Sequence, residues 1–292
     1  MQKKEKEKYF NFYILNVKLK NRNTNKHLSE EDYVRLLKNL FKSKIHKASS
    51  SQKHCIIQSL FVDKDNDTVN YLSGVLAQFT FHENINWYDL NTLEVDENFK
   101  IPNGLFPDAK RTQYIFIPKA HRFVYISNSE FPTNPYTIKR YLNSALDEVA
   151  KDNEIVDVDV ESDKSTLERI IKSPIIRKLI IEVNYSNPDN TADLQRFFDE
   201  DMRDANVGKT KIESTGKEGS SIDLKNSKIL YGAAQSSLSN GETFAKIEDI
   251  NGNVEDLNTQ NFPLREKVFG LSARMNQLVF EKIIGLFKNN GN

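Results

Sequence analysis

The chain has 292 residues, 38% hydrophobic and 28% charged, the proportions of an ordinary globular protein with room for one large domain or two of medium size. Its 41 basic residues balance 41 acidic ones, so bulk charge selects neither a polyanionic nor a polycationic partner. No apolar run reaches the 18 residues of a membrane helix, and the lone Cys55 excludes a disulfide framework or a multi-cysteine zinc site. Tyr9–Leu19 is too polar for the apolar part of a signal peptide, so a cytoplasmic protein is expected.

In chain order, Tyr9–Lys20 alternates after a short apolar run and predicts a strand. Ser29 is an N-cap candidate, followed by Glu30, Glu31 and Asp32 at the positive end of a helix. Tyr33, Leu36, Leu37, Leu40, Phe41 and Ile45 recur at helical spacing, so 30–47 predicts an amphipathic helix with Arg35, Lys38, Lys42 and Lys44 on its other face. His54–Val62 and Val69–Thr80 predict strands joined by Asp63–Thr68, with shorter ones at Asn84–Tyr88 and Leu93–Val95. Gln113–Ile117 and Arg122–Ser127 predict a hairpin through Pro118-Lys119-Ala120-His121, and a helix follows over Tyr136–Lys151.

Beyond residue 150 strand and helix alternate. Strands are expected at Ile155–Glu161, Ile175–Tyr185 and Lys209–Ser214, with helices at Ser165–Lys172 and, after a turn at Asn187–Asn190, Thr191–Ala205. A helix over Asp223–Leu238 follows. Gly241–Ile250 and Asn253–Leu257 predict a hairpin turning at Asn251-Gly252, the turn pair with the strongest short-range signal. Phe262–Leu271 is expected to pair with that hairpin, and Asn276–Lys288 closes the chain as a helix. The order predicts an α+β fold: a strand-rich domain over 1–150 and a second α+β domain over 151–292 containing a βαβαβ unit, the hairpin and the last helix.

Most chemical motifs fail on spacing. Asp63-Lys64-Asp65-Asn66-Asp67 opens like a calcium loop, but Thr68 stands where Gly is needed and Gly74 where Glu is needed. Gly208-Lys209-Thr210 ends like a phosphate loop, but Arg203 replaces the earlier Gly, and Gly208 fits better as a helix cap. The five histidines form no metal-binding pair. Cys55 and His54 are adjacent in a strand and point to opposite faces, so a buried Cys55 is expected. Asp157, Asp159 and Glu161 alternate along one strand and could share a divalent ion with Glu182, with Pro188-Asp189 and Asp223-x-Lys225 as a loose nuclease-like pattern. If Val156, Val158 and Val160 face the core, that acidic side simply faces water. No cofactor is implied and no catalytic residue is assigned.

Charge is segregated along the chain. Residues 1–53 hold 14 Lys/Arg against 5 Asp/Glu, and 111–140 hold 5 against 1. Brought onto one face, these would form a phosphate-binding patch, with Lys38, Lys42 and Lys44 from the helix and Lys119, Arg122 and Arg140 from the middle stretch. His121 in the same hairpin would add a pH-dependent contact. Tyr114, Phe116, Phe123 and Tyr125 interleave with the second basic stretch, as stacking platforms or as core.

Several segments resemble one bacterial family: FYILNVKLK, IFIPKAHRFVY, LIIEVNYSNPDN, MRDANVGK and AAQSSLSNGETFAKIED, together running from about Phe10 to Lys267. The chain is similar here to the domain-of-unknown-function family numbered 4747, whose members tend to be encoded among phage-defence and mobile-element genes. Its layout more loosely resembles the phage exclusion protein RexA, a DNA-binding dimer that acts with a membrane partner. The resemblance implies a non-enzymatic, nucleic-acid-binding sensor or effector of the abortive-infection type. Its expected ligand is DNA before RNA, as a homodimer with a membrane or effector partner protein. Two alternatives stand beside it, a protein-interaction module of a defence complex and a metal-dependent nuclease.

Overall fold

The computed structural model describes residues 6–81, 87–96, 102, 104–184, 193–205 and 207–288. The expected turn at Asn187–Asn190 and the first residues of the Asn84–Tyr88 strand lie outside them.

The fold is α+β. Its organising element is the opening strand β1 (Lys8–Asn21), one of nine strands that the described residues contribute to the larger sheet. The apolar run FNFYIL followed by alternation makes it a strand buried on both sides, since Phe10, Phe12 and Ile14 enter one core and Leu15, Val17 and Leu19 another. The first helix, α1 (Glu30–Ser43), starts at Ser29, whose backbone N–H donates to Asp32 Oδ2 at 3.3 Å. It ends four residues earlier than the periodicity predicts because Lys44 turns left-handed.

Then come β2 (His46–Ala48), β3 (Lys53–Ile57), β4 (Phe61–Asp65), β5 (Thr68–Thr80), the small pair β6 (Trp87–Asp89) and β7 (Glu94–Asp96), β8 (Lys110–Ile117) and β9 (Arg122–Ser127). The expected strand His54–Val62 is two strands, β3 and β4, both paired along one edge of β5. The chain breaks between them where Ser59 O approaches Gly74: a Cβ on Gly74 would stand 1.9 Å from it. Helix α2 (Pro135–Val149), with Asn134 as N-cap, packs with α1 on one face of this sheet.

The second half is α3 (Lys164–Lys172), α4 (Asp193–Asp204), α5 (Lys228–Asn240) and α6 (Met275–Lys288), with β10 (Glu154–Val160), β11 (Ile175–Asn184), β12 (Lys209–Thr215), β13 (Gly241–Glu248), β14 (Val254–Asn258) and β15 (Arg265–Gly270). The alternation β10-α3-β11-α4-β12 follows the expected order, with its strands shared between two sheets. β10 pairs antiparallel with β1, while β11 and β12 join β13 and β14 in a four-stranded sheet of order β12-β11-β13-β14. β15 does not join the β13–β14 hairpin. It lies along Lys8–Tyr13, so β15 and β10 share one edge of β1. α6 covers the Phe10, Phe12 and Ile14 side through Met275, Val279 and Ile283.

Two local readings change. α5 begins after Ser227 and not at Asp223, which instead closes a turn by accepting from Asn226 N at 3.1 Å. Gly208 caps nothing, because α4 ends at Asp204 and Gly208 leads into β12 without a positive φ. The Asn251-Gly252 turn forms as expected, with Gly252 at φ 82° and Asp249 Oδ1 accepting from the backbone of Asn251 and Asn253.

Candidate nucleic-acid interface

Val158 and Val160 are buried in the core, which turns Asp157, Asp159 and Glu161 to the opposite face of β10. Asp159 and Glu161 on that face are shut away from water, at 2% and 3% exposed, against Asn184 of β11 and Ser239 of α5, while Asp157 stays partly exposed. In register, Lys18 stands opposite Asp157 and Asn16 opposite Asp159. Lys18 Nζ lies 3.0 Å from Asp157 Oδ2 and 2.5 Å from Asp159 Oδ2, and Lys139 Nζ reaches Asp159 Oδ1 at 2.7 Å. Burial disfavours both charges, but the pairing prevails: Lys18 is held above its ordinary pKa by Asp159 and Asp157, and Asp159 below its own by Lys18 and Lys139.

Glu161 is neutralised separately. Arg122 Nε stands 2.9 Å from its Oε1, and Ser239 Oγ donates to Oε2 at 2.7 Å. Arg122 also donates to Asn16 Oδ1 and Ala120 O, and its guanidinium lies over the Phe287 ring at 4.2 Å. The other carboxylates of the nuclease pattern are dispersed. Glu182 is paired with Lys209 and Lys211, Asp223 closes its turn, and Pro188-Asp189 lies outside the described residues. Among the described residues no group of three or more His, Cys, Asp or Glu is placed to hold a metal ion.

The six cations picked from the sequence divide. Arg122, 1% exposed, is a core ion-pair residue and leaves the surface set. Its position in a basic stretch carries no sign that its strand face is covered by α6 and by Glu161. Lys42 and Lys44 are exposed and Lys38 half-buried on the solvent side of α1, and none of the three has an ion pair among the described residues. Arg35, on the same helix, is drawn to Asp32 and Glu154. Lys119 is exposed on the β8–β9 turn, tied to α1 by the Tyr33 ring stacked 4.6 Å from His121. That stacking holds His121 against the helix. Arg140 on α2 is exposed and donates to Ser49 O at 3.2 Å. Lys38, Lys42 and Arg140 thus lie on the two helices that cover one face of the sheet, and Lys44 caps the end of the first of them. Tyr114, Phe116, Phe123 and Tyr125 are all core, with Tyr114 and Phe123 stacked at 5.1 Å.

A second basic feature escapes the sequence. At the other end of β1, a groove of about 1220 Å³ is lined by residues of β1, β8, β9, the 128–135 loop and the segment around β15. Its charged lining among the described residues is Lys8, Arg111 and Arg265, without a carboxylate. These three are separated by up to 257 positions in the chain and meet only through strand register. Lys8 and Arg111 belong to the two basic stretches already singled out; Arg265 carries no local signal.

A family model described as a domain of unknown function, DUF4747, matches residues 8–285. The chain belongs to this family. The match begins at the first residue of β1 and ends within α6, so it takes in both sheets, the buried ion pairs and the groove. No curated protein matches the chain. No described helix is long and apolar enough to cross a membrane.

Proposed function

We propose that this chain is a non-catalytic nucleic-acid-binding sensor or effector of bacterial anti-phage defence, of the abortive-infection type, that holds phosphate backbones without strong sequence preference. The observation that carries the binding reading is the set Lys38 and Lys42 on α1 with Lys44 at its cap, none of which has an ion pair among the described residues. Elsewhere in the fold many cations are matched to carboxylates: Lys18, Arg35, Lys47, Lys53, Arg122, Lys139, Arg169 and Arg177 all have a partner. Lysines left without counter-ions on a helix face recruit mobile anions, and a polyphosphate chain gains by displacing its own condensed cations when it docks there. Lys119 and Arg140 extend the set. The defence setting is supported by the family's genomic company and by the looser likeness to RexA; no side chain argues for it. The pairing of Asp159 and Glu161 with buried cations weighs against the nuclease alternative.

The test is binding of the purified protein to duplex DNA over a salt series. Five phosphate contacts would give a slope of log affinity against log salt of about −4.5. Absence of binding at about 50 mM salt overturns the proposal, because backbone contacts are strongest there.

A further inference from the structure

The groove at the Lys8 end of β1 differs in kind from the α1 face. Its volume, about 1220 Å³, exceeds the range of about 300–1,000 Å³ usual for small-molecule pockets. Lys8, Arg111 and Arg265 are exposed around it. Glu266, the carboxylate next to Arg265, is drawn away to Lys282 at 3.3 Å. Asn134 and Pro135 also line the groove, so the positive end of the α2 dipole opens onto it. Tyr9 lines the groove as well, while Lys8 Nζ lies 5.2 Å over the Phe10 ring on the other face of β1. Tyr9 is 61% exposed, its register partner Phe269 is 51% exposed with ring centroids 4.9 Å apart, and Lys267 Nζ sits 5.1 Å over the Tyr9 ring. Two large rings kept at the surface of a strand pair that borders the groove, whose three cations have no ion pair among the described residues, are costly to leave in water and suited to covering by flat ligands.

We infer that this groove is a binding site for single-stranded nucleic acid, with Lys8, Arg111 and Arg265 holding phosphates and Tyr9 stacking on a base. Duplex DNA hides its base faces, so an exposed ring next to a phosphate track selects unpaired strands. Where both features occur, the strand lies in the groove and the bases turn onto the Tyr9–Phe269 pair. The inference rests on the nucleic-acid reading above and gives it a substrate class.

Fluorescence anisotropy with labelled oligo-dT and oligo-rU of about 15 nucleotides, and with a duplex of equal length, tests it. The parent should bind at least one of the single strands more tightly than the duplex. Tyr9→Ala should weaken single-strand binding about tenfold and leave duplex binding unchanged. Arg111→Glu with Arg265→Glu should flatten the single-strand salt slope by about 1.4. All three side chains are exposed, so the variants keep the core; unchanged thermal melting verifies this. If the groove variants bind single strands like the parent while Lys38→Glu with Lys42→Glu loses them, the groove assignment is wrong and the nucleic-acid reading stands. If the parent binds neither single strands nor duplex, both fall.

Discussion

Arg122 Nε lies 2.9 Å from Glu161 Oε1, and both side chains are almost wholly shut away from water. The pair ties the β8–β9 hairpin to the end of β10, and Ser239 and Asn16 close the network around it. Removing one partner strands the other's charge, so Arg122→Met should cost about 3–5 kcal/mol in urea unfolding. Adding Glu161→Met should restore much of that loss. Nucleic-acid binding and its salt slope should not change in the Arg122 variant once folded; a reduced slope would put the guanidinium back among the surface contacts.

Acid sensitivity should trace to Asp159. Lys18 and Lys139 keep its folded pKa below the unfolded value of about 3.9. The unfolded chain therefore takes up the proton first, and the stabilisation, complete above that value, is lost as pH falls through the folded pKa. Asp159→Asn should be less stable than the parent at pH 7 and show a shallower decline of melting temperature on acidification. Equal slopes in the two proteins would show that the acid response arises elsewhere.

Cys55 is fully buried, and burial pushes its thiol up to about 11, with bonds to Ser49 and Gln78 offsetting only part of the rise. The folded protein should resist iodoacetamide near pH 8 and react once unfolded in urea. Because the folded value is the higher one, this contribution to stability is complete below pH 9 and declines as pH rises from 9 through 11. Rapid alkylation of the native thiol would contradict the packing of β3 against β5.

On the α1 face, Lys38→Glu with Lys42→Glu should weaken binding to all duplex sequences alike and flatten the salt slope by about two. A double variant that binds like the parent would remove this helix from the interface.

Gly74 should tolerate no side chain. A Cβ there would meet the backbone oxygen of Ser59 at 1.9 Å, so Gly74→Ala should cost about 1–3 kcal/mol or more. Unchanged stability would mean that the 58–60 bend yields freely.

What the sequence discloses is local. The start and apolar face of α1, the β8–β9 and Asn251-Gly252 turns and the inward valines of β10 are all set by neighbours a few residues apart, and these form as read. The fate of Phe262–Leu271 was not legible, because β15 could satisfy its backbone equally well on the nearby hairpin or on β1, and its apolar side chains do not say which. The same limit hid the ion pairs. Asp157, Asp159 and Glu161 look like an outward face until Lys18 and Arg122, more than 35 positions away, fix them in place. Asp223 and Ser227 both carry good helix-start chemistry, and only the folded turn chooses between them. The groove is the extreme case, since its cations belong to three strands.

β1 leaves the ribosome well before both strands that complete one of its edges, β10 and β15, whose last residues are 160 and 270. At about 5–20 residues per second, that edge stays open for roughly ten to fifty seconds of synthesis. Through this interval a 14-residue strand presents Phe10, Phe12 and Ile14 with neither their edge partner nor α6 over them. Production of this protein should therefore be governed by what shelters the nascent opening strand, so that slowing translation lowers the soluble yield and trigger-type holdases raise it.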